Sequence, residues 1–156
     1  MRRLPILLPV VVVFSLVMLG CSSSDSSASV KANEEAYVEA FFAQDLDAFM
    51  DTFTDDAVFI DETYGDHLEG KAAVRSMYAN VIEFADPDQS ELIDVFVADD
   101  ATFVASTWEW VGTNAFGNRF HLPTALIHEY RDGKIAKETV YYASPDAYGQ
   151  LMGSGS

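Results

Sequence analysis

The sequence predicts an α+β domain, a curved antiparallel sheet wrapped around three N-terminal helices with a conical pocket between the layers. Three observations carry this expectation. Apolar residues at helical spacing are confined to the chain before Pro87, a short β-branched and aromatic run at 57–61 interrupts them, and the chain after Pro87 alternates as strands do. Helices gathered at one end of a chain and long strands at the other pack as a helical layer on one face of a sheet.

The first helix opens at Asn33, a capping side chain followed by Glu34 and Glu35 in the turn where the helix dipole favours carboxylates. Tyr37, Val38, Phe41 and Phe42 form its apolar face. Asp45 caps a second helix, with Leu46, Phe49, Met50 and Phe53 at i, i+3, i+4 and i+7, and Asp55-Asp56 breaks it. A third helix over 71–84 carries Val74, Met77, Tyr78, Val81 and Ile82 on one face, and Asp86-Pro87-Asp88 ends it. Strands follow at 91–98, 101–113, 119–130 and 134–143, separated by Asp99-Asp100, residues 114–118 and Asp132-Gly133. The last turn permits a two- or three-residue connection, and a shift of one residue exchanges the whole inward set of side chains.

Charge removes several function classes. Nine basic and 25 acidic residues give a net −16 with histidines neutral; Arg2 and Arg3 are the only charges in the first twenty positions, so the remainder carries seven against 25, or −18. A domain that acidic repels phosphate backbones and anionic headgroups, which excludes nucleic-acid partners and a polybasic membrane patch. The single cysteine, Cys21, excludes an intramolecular disulfide and a cysteine-built zinc site. Asp61, Glu62, Asp66, His67 and Glu69 are rich in oxygen ligands but lack the spacing of a calcium loop, so no metal is expected. No phosphate-cradling glycine loop, dinucleotide fingerprint or nucleophile motif is present, and no cofactor is expected.

The first twenty residues read as a secretory signal, with two arginines, an apolar run of 16 residues from Leu4 to Leu19 and a small residue before the break. That run is short of the roughly 20 residues a spanning helix needs. Met18-Leu19-Gly20-Cys21 resembles the lipobox of bacterial lipoproteins, which implies that Cys21 is lipidated and becomes the mature N-terminus. Residues 22–29 (SSSDSSAS) read as a polar tether. The expected organisation is a signal peptide at 1–20, a lipidated cysteine and flexible tether at 21–31, a folded domain at 32–152 and a Gly-Ser tail at 153–156. The protein would then be exported and lipid-anchored on the periplasmic or cell-surface side of a bacterial membrane.

The segments Gln44-Asp45-Leu46-Asp47, Phe53-Thr54-Asp55-Asp56-Ala57-Val58-Phe59-Ile60-Asp61, Glu69-Gly70-Lys71-Ala72-Ala73-Val74 and Tyr130-Arg131-Asp132-Gly133-Lys134-Ile135 resemble the SnoaL-like and ketosteroid-isomerase-like branch of the nuclear-transport-factor-2-like (NTF2-like) superfamily. The resemblance covers nearly the whole folded part and implies a cystatin-like cone, a homodimer on the outer face of the long strands, and a pocket whose chemistry differs from member to member. On the isomerase pattern, Tyr37 falls where a tyrosine donates to the developing enolate oxygen, and Asp61, 24 residues on, falls where an aspartate moves the proton. Leu126 stands where a protonated acid would complete the oxyanion hole, and losing such a donor costs on the order of 10²–10³ in rate. His121 or His128 could substitute, depending on register. On the cyclase pattern, Ala143 replaces the key acid.

Two function classes follow. One is an anchored binding protein whose cone holds a small apolar molecule against Trp108, Trp110, His121, Leu126 and Tyr141. The other is a cofactor-free proton-transfer enzyme, isomerase- or lyase-like, acting next to a carbonyl with Asp61 as base and Tyr37 as oxyanion donor.

Overall fold

The structure, a computed structural model, describes residues 23–87, 90–144 and 146–152. Its elements run α1 (Ser23–Phe42), α2 (Leu46–Asp51), β1 (Phe53–Asp61), β2 (Asp66–Glu69), α3 (Lys71–Phe84), β3 (Ala85–Asp86), β4 (Glu91–Val97), β5 (Phe103–Asn114), β6 (Arg119–Arg131), β7 (Lys134–Tyr142) and α4 (Ala147–Met152). The strands form one sheet in the order β2-β1-β7-β6-β5-β3, with β4 on the other half of β5's free edge. The sheet is curled, with α1 and α3 against its concave face. The α+β cone expected from the sequence is therefore present, with one parallel pair, β1 with β7, making the sheet mixed.

α1 begins ten residues before Asn33. Residues 23–31, read from the sequence as tether, are helical, and the reason is packing at one position. Val30 is 2% exposed and sits in a small apolar cluster with Ala101 and Val104. Asn33 is consequently interior to the helix, not its cap, and its Nδ2 donates to the Thr52 carbonyl and the Tyr130 hydroxyl, both at 3.2 Å. Cys21, residues 1–20 expected as a signal peptide, and residues 153–156 expected as a tail lie outside the described residues. No helix among the described residues is long and apolar enough to cross a membrane.

Asp45 caps α2 as expected, its Oδ1 accepting from the backbone N–H of Asp47 at 3.1 Å and Ala48 at 3.0 Å. The helix stops one turn early and Phe53 opens β1, because the Thr52 carbonyl is taken by the N–H of Ile135 at 2.9 Å. The 66–69 segment, including His67, forms an edge strand on β1. Asp132 and Gly133, both at positive φ, make a two-residue turn that pairs Arg131 with Lys134 and fixes the hairpin register. Gly112 is required by close approach, since a Cβ there would lie 2.0 Å from the Asp86 carbonyl.

The core lies between α1, α2 and α3 and the concave face. Phe49, Phe53, Met50 and Val74 are fully buried at its centre, with Tyr37 against Phe49 at a ring separation of 4.6 Å. A second cluster of Trp110, Phe120, Leu122 and Ala147 closes the end of the cone under α4.

Candidate functional site

Register decides which side chains face the cone. On β5 and β6 the even-numbered residues point inward, so Trp108 and Trp110 come from one strand and Leu122, Leu126 and His128 from the next. On β7 the alternation breaks. Tyr130 pairs with Ile135 but Glu129 pairs with Lys137, so Ala136 is an extra residue. This bulge turns Glu138, Val140 and Tyr142 inward together with Ile135.

The cone holds two adjoining compartments. The first, inner because α1 forms part of its wall, has about 50 Å³ and is lined by Tyr37 and Phe41 of α1, Met77, Tyr78 and Val81 of α3, and Phe59, Trp108, Trp110, Thr124 and Tyr142 of the sheet. The outer compartment, about 300 Å³, shares Phe59, Met77, Val81 and Tyr142 with it and adds Asp61, Tyr64, Asp66, Asn80, Ala85 and Leu151. Its walls are mainly apolar with a few convergent polar groups, the usual constitution of a small-molecule site.

Behind the inner chamber lies a buried polar chain. The Tyr78 hydroxyl donates to Glu138 Oε1. The Tyr37 hydroxyl is 3.5 Å from that of Tyr78, a long contact. His128 stands between two carboxylates, with Nδ1 2.5 Å from Glu34 Oε1 and Nε2 3.3 Å from Glu138 Oε2. The second approach lies outside hydrogen-bond geometry and leaves both of its atoms without a hydrogen-bond partner. Tyr130 donates to the same Glu34 oxygen at 2.8 Å. Glu138 is 0% exposed and His128 1%.

Burial disfavours the charged imidazole of His128, but the adjacent carboxylate of Glu138 and the hydrogen-bonded carboxylate of Glu34 outweigh it and raise its pKa to about 9. The hydroxyls of Tyr37 and Tyr78 are pushed well above their ordinary value, first by burial and then by the charge of Glu138, so both stay protonated. Tyr142 is raised by burial and then by the charge of Asp61.

Asp61 is 7% exposed at the end of β1. Its Oδ1 accepts from the N–H groups of Thr63 at 2.8 Å and Tyr64 at 3.1 Å, an arrangement that fixes the carboxylate in the wall of the outer compartment. Tyr37 and Asp61 are thus brought to neighbouring compartments that share four wall residues. Trp108 and Trp110 both line the inner chamber; the Trp108 indole donates to Ser106 at 2.9 Å, whereas the buried Trp110 Nε1 has no partner.

Other expected positions fall elsewhere. His121, expected at the pocket mouth, is on the outer face, paired with Glu109 of the neighbouring strand and 61% exposed at its side chain. Tyr141 is 42% exposed on the outer face opposite Ala125, and Tyr142 takes the inward place because the bulge at Ala136 shifts the parity of β7. Leu126 is inward and buried in the core but lines neither compartment. Of the two histidines considered as donors, His128 faces the interior. Among the described residues no group of three or more His, Cys, Asp or Glu side chains could hold a metal ion. From the sequence, Glu34 is expected only as a first-turn acid and Tyr78 only as a packing residue, and Glu138 carries no expectation. The available signal was an acid on each of two otherwise buried faces, readable only once Val30 and the Ala136 bulge set the register.

A family model for the SnoaL-like domain matches residues 35–138, which takes in the second half of α1, all of α3, β5 and β6, and the start of β7. The chain belongs to the SnoaL-like domain family. No curated protein matches the sequence. Solved structures resemble this SnoaL-like domain over most of both chains. A candidate polyketide cyclase from Xanthomonas campestris pv. campestris is 24% identical with a TM-score of 0.68, over 81% of this chain and 98% of that one. A candidate isomerase from Bacillus subtilis is 16% identical with a TM-score of 0.70, over 86% and 97%. A ketosteroid-isomerase-like protein from Erwinia carotovora atroseptica is 26% identical with a TM-score of 0.63, over 78% and 98%. At identities this low the first two establish the SnoaL-like fold and leave the chemistry to the residues of this cone.

Proposed function

We propose that this SnoaL-like domain is an exported, lipid-anchored binding module whose cone holds a small, mainly apolar molecule. The observation that carries the reading is the pair of joined compartments. The outer one offers about 300 Å³ for the body of a ligand, and the inner one continues it between the rings of Tyr37, Phe41, Trp108 and Trp110. Anchoring is supported by Gly20-Cys21 after the apolar segment, and two or more acyl chains, at roughly 0.8 kcal/mol per buried CH₂, hold a protein at a membrane where one does not.

Native mass spectrometry of the purified protein should find a small organic molecule retained, and its displacement should change the fluorescence of Trp108 and Trp110. An empty protein whose emission responds to no apolar aromatic compound would remove the reading. Cys21→Ser should leave the protein unprocessed or free of the membrane; a processed, membrane-bound serine variant would remove the anchor.

The second reading, proton transfer next to a carbonyl, is favoured by one observation, a buried carboxylate, Asp61, in a wall continuous with that of Tyr37. It requires that the protein accelerate deuterium exchange at the α-carbon of a cyclic ketone, and that Asp61→Asn abolish the acceleration while ligand binding persists. Exchange at the solvent rate for the native protein would leave the binding module alone.

A further inference from the structure

The outer compartment carries two carboxylates that the sheet sets face to face. Asp61 ends β1 and Asp66 opens β2, and the antiparallel register pairs them directly, so both side chains stand on one face and both line the compartment. Like charges at directly opposed positions repel and weaken the pairing of their strands. Burial adds to that cost at Asp61, which is 7% exposed. Its Oδ1 is met by the N–H groups of Thr63 and Tyr64, but Oδ2 accepts from no described residue and is not sealed from solvent. Among the described residues no Lys, Arg or His forms an ion pair with either carboxylate, and none lines the compartment. The hairpin therefore gathers negative charge at one place and supplies no cation to balance it.

The rest of the wall narrows the kind of cation that fits. Phe59, Tyr64 and Tyr142 contribute rings, and Met77, Val81 and Leu151 contribute aliphatic surface. The rings of Tyr64 and Tyr142 lie 6.5 Å apart and tilted by 47°, as a splayed pair. Aromatic faces attract cations, and they attract organic ones without asking for a shell of water. Calcium or magnesium requires six or more oxygens around it, which rings and methyl groups do not provide. An ammonium group carrying an apolar substituent uses both parts of the wall, the carboxylates at its head and the rings along its body. The charge of the whole molecule acts in the same direction, since a formal −18 beyond residue 20 raises the concentration of cations near the surface.

We infer that the outer compartment takes an organic ammonium ion, which donates to Asp61 Oδ2 beside Asp66 and lays its apolar substituent against Tyr64 and Tyr142. The inference rests on the binding reading above and names the charge of the occupant. No bond of the ligand is made or broken. The 300 Å³ of this compartment hold the head and the first ring or chain, and a longer substituent continues past Phe59, Met77, Val81 and Tyr142, the residues shared with the inner compartment. A bound ammonium places a positive charge between two carboxylates that otherwise repel, so its binding stabilises the β1–β2 hairpin as well.

The test uses the full chain in a non-ionic detergent at pH 7 and low salt, with three compounds of one size: 2-phenylethylamine, protonated at that pH, 2-phenylethanol, which is neutral, and phenylacetate, an anion. In titration calorimetry the amine should bind about tenfold or more tightly than the alcohol, and phenylacetate more weakly than either. Sodium chloride should narrow the gap between amine and alcohol. Asp61→Asn keeps an oxygen for the turn and should bring the amine to within about threefold of the alcohol. Asp66→Asn, at an exposed position, should narrow the gap as well, and it decides the matter should Asp61→Asn fail to fold by circular dichroism. Equal affinity of the native protein for amine and alcohol, or a preference that survives both substitutions, would overturn the inference and leave an apolar binding site in place. Displacement of the amine by calcium chloride, beyond the effect of sodium chloride at equal ionic strength, would make the carboxylates an inorganic cation site and overturn it also. Failure of all three compounds to bind overturns the inference and the binding reading together.

Discussion

His128 shows how much a single side chain can tie the layers of this fold together. It stands on β6, bonds Glu34 on α1 and faces Glu138 on β7, so its charge is shared by a helix and two strands. Its pKa of about 9 in the folded chain lies above the ordinary 6.5, so protonation favours the folded state. The contribution is complete below about pH 6.5 and disappears as pH rises through about 9; by linkage it is on the order of 3 kcal/mol. Urea unfolding followed from pH 6 to pH 10 should show stability falling across that window. A flat profile would mean that the two carboxylates do not hold the proton. His128→Gln should lower stability at pH 7 by about 3–5 kcal/mol, because it leaves two carboxylates buried without a cation, and it should flatten the dependence on pH.

At the scale of elements, α3 and the long strands were legible because their patterns are local. Fourteen residues with apolar positions at helical spacing need no partner to be recognised, and α3 spans the expected 71–84. The misread segments depend on partners far away in sequence. Phe53 satisfies the helical spacing of α2 but belongs to β1, since the Thr52 carbonyl beside it bonds Ile135. Strict alternation from Ile135 would turn Lys137 inward, and only the extra residue at Ala136, visible through pairing with β6, exposes Glu138 to the cone. The serine-rich start of α1 has tether composition, and Val30 alone marks it as packed. Val30→Ala should therefore lower stability by about 1.5 kcal/mol, read as a shift in the urea midpoint, from the loss of two buried methyl-sized groups. An unchanged midpoint would return residues 23–31 to the role of a linker. The site was legible to the same degree. The two tryptophans follow from alternation, and Tyr37 and Asp61 from the resemblance to the isomerase pattern, whereas the acids behind them follow from register.

For the whole molecule the outer face of the sheet is the open question of assembly. Phe96, Phe103 and Tyr141 lie there at 64%, 46% and 42% exposure, with Ala105, Ala125 and Ile127 between them on adjacent strands. An exposed apolar face of this kind marks a contact surface. We expect two copies to pair through it. Because each chain beyond residue 20 carries a formal −18, the pair should loosen at low ionic strength, where repulsion acts over a longer range. Light scattering at micromolar concentration should give a dimer in moderate salt, and Phe96→Glu should give a monomer with unchanged far-ultraviolet circular dichroism. A monomeric native protein in moderate salt would remove this expectation.

The parallel pairing of β1 with β7 has a consequence for the order in which the protein comes into being. β1 is finished at Asp61, yet its neighbour on the side away from β2, residues 134–142, comes only after α3 and β3–β6 have been made. Until then β1 can pair only with the four-residue β2, and the strand that carries Glu138 does not yet exist. The cone cannot close before β7 is made. Folding of this half of the cone is thereby postponed until β7 emerges, and the helices and the first hairpin wait unsealed for a strand made long after them.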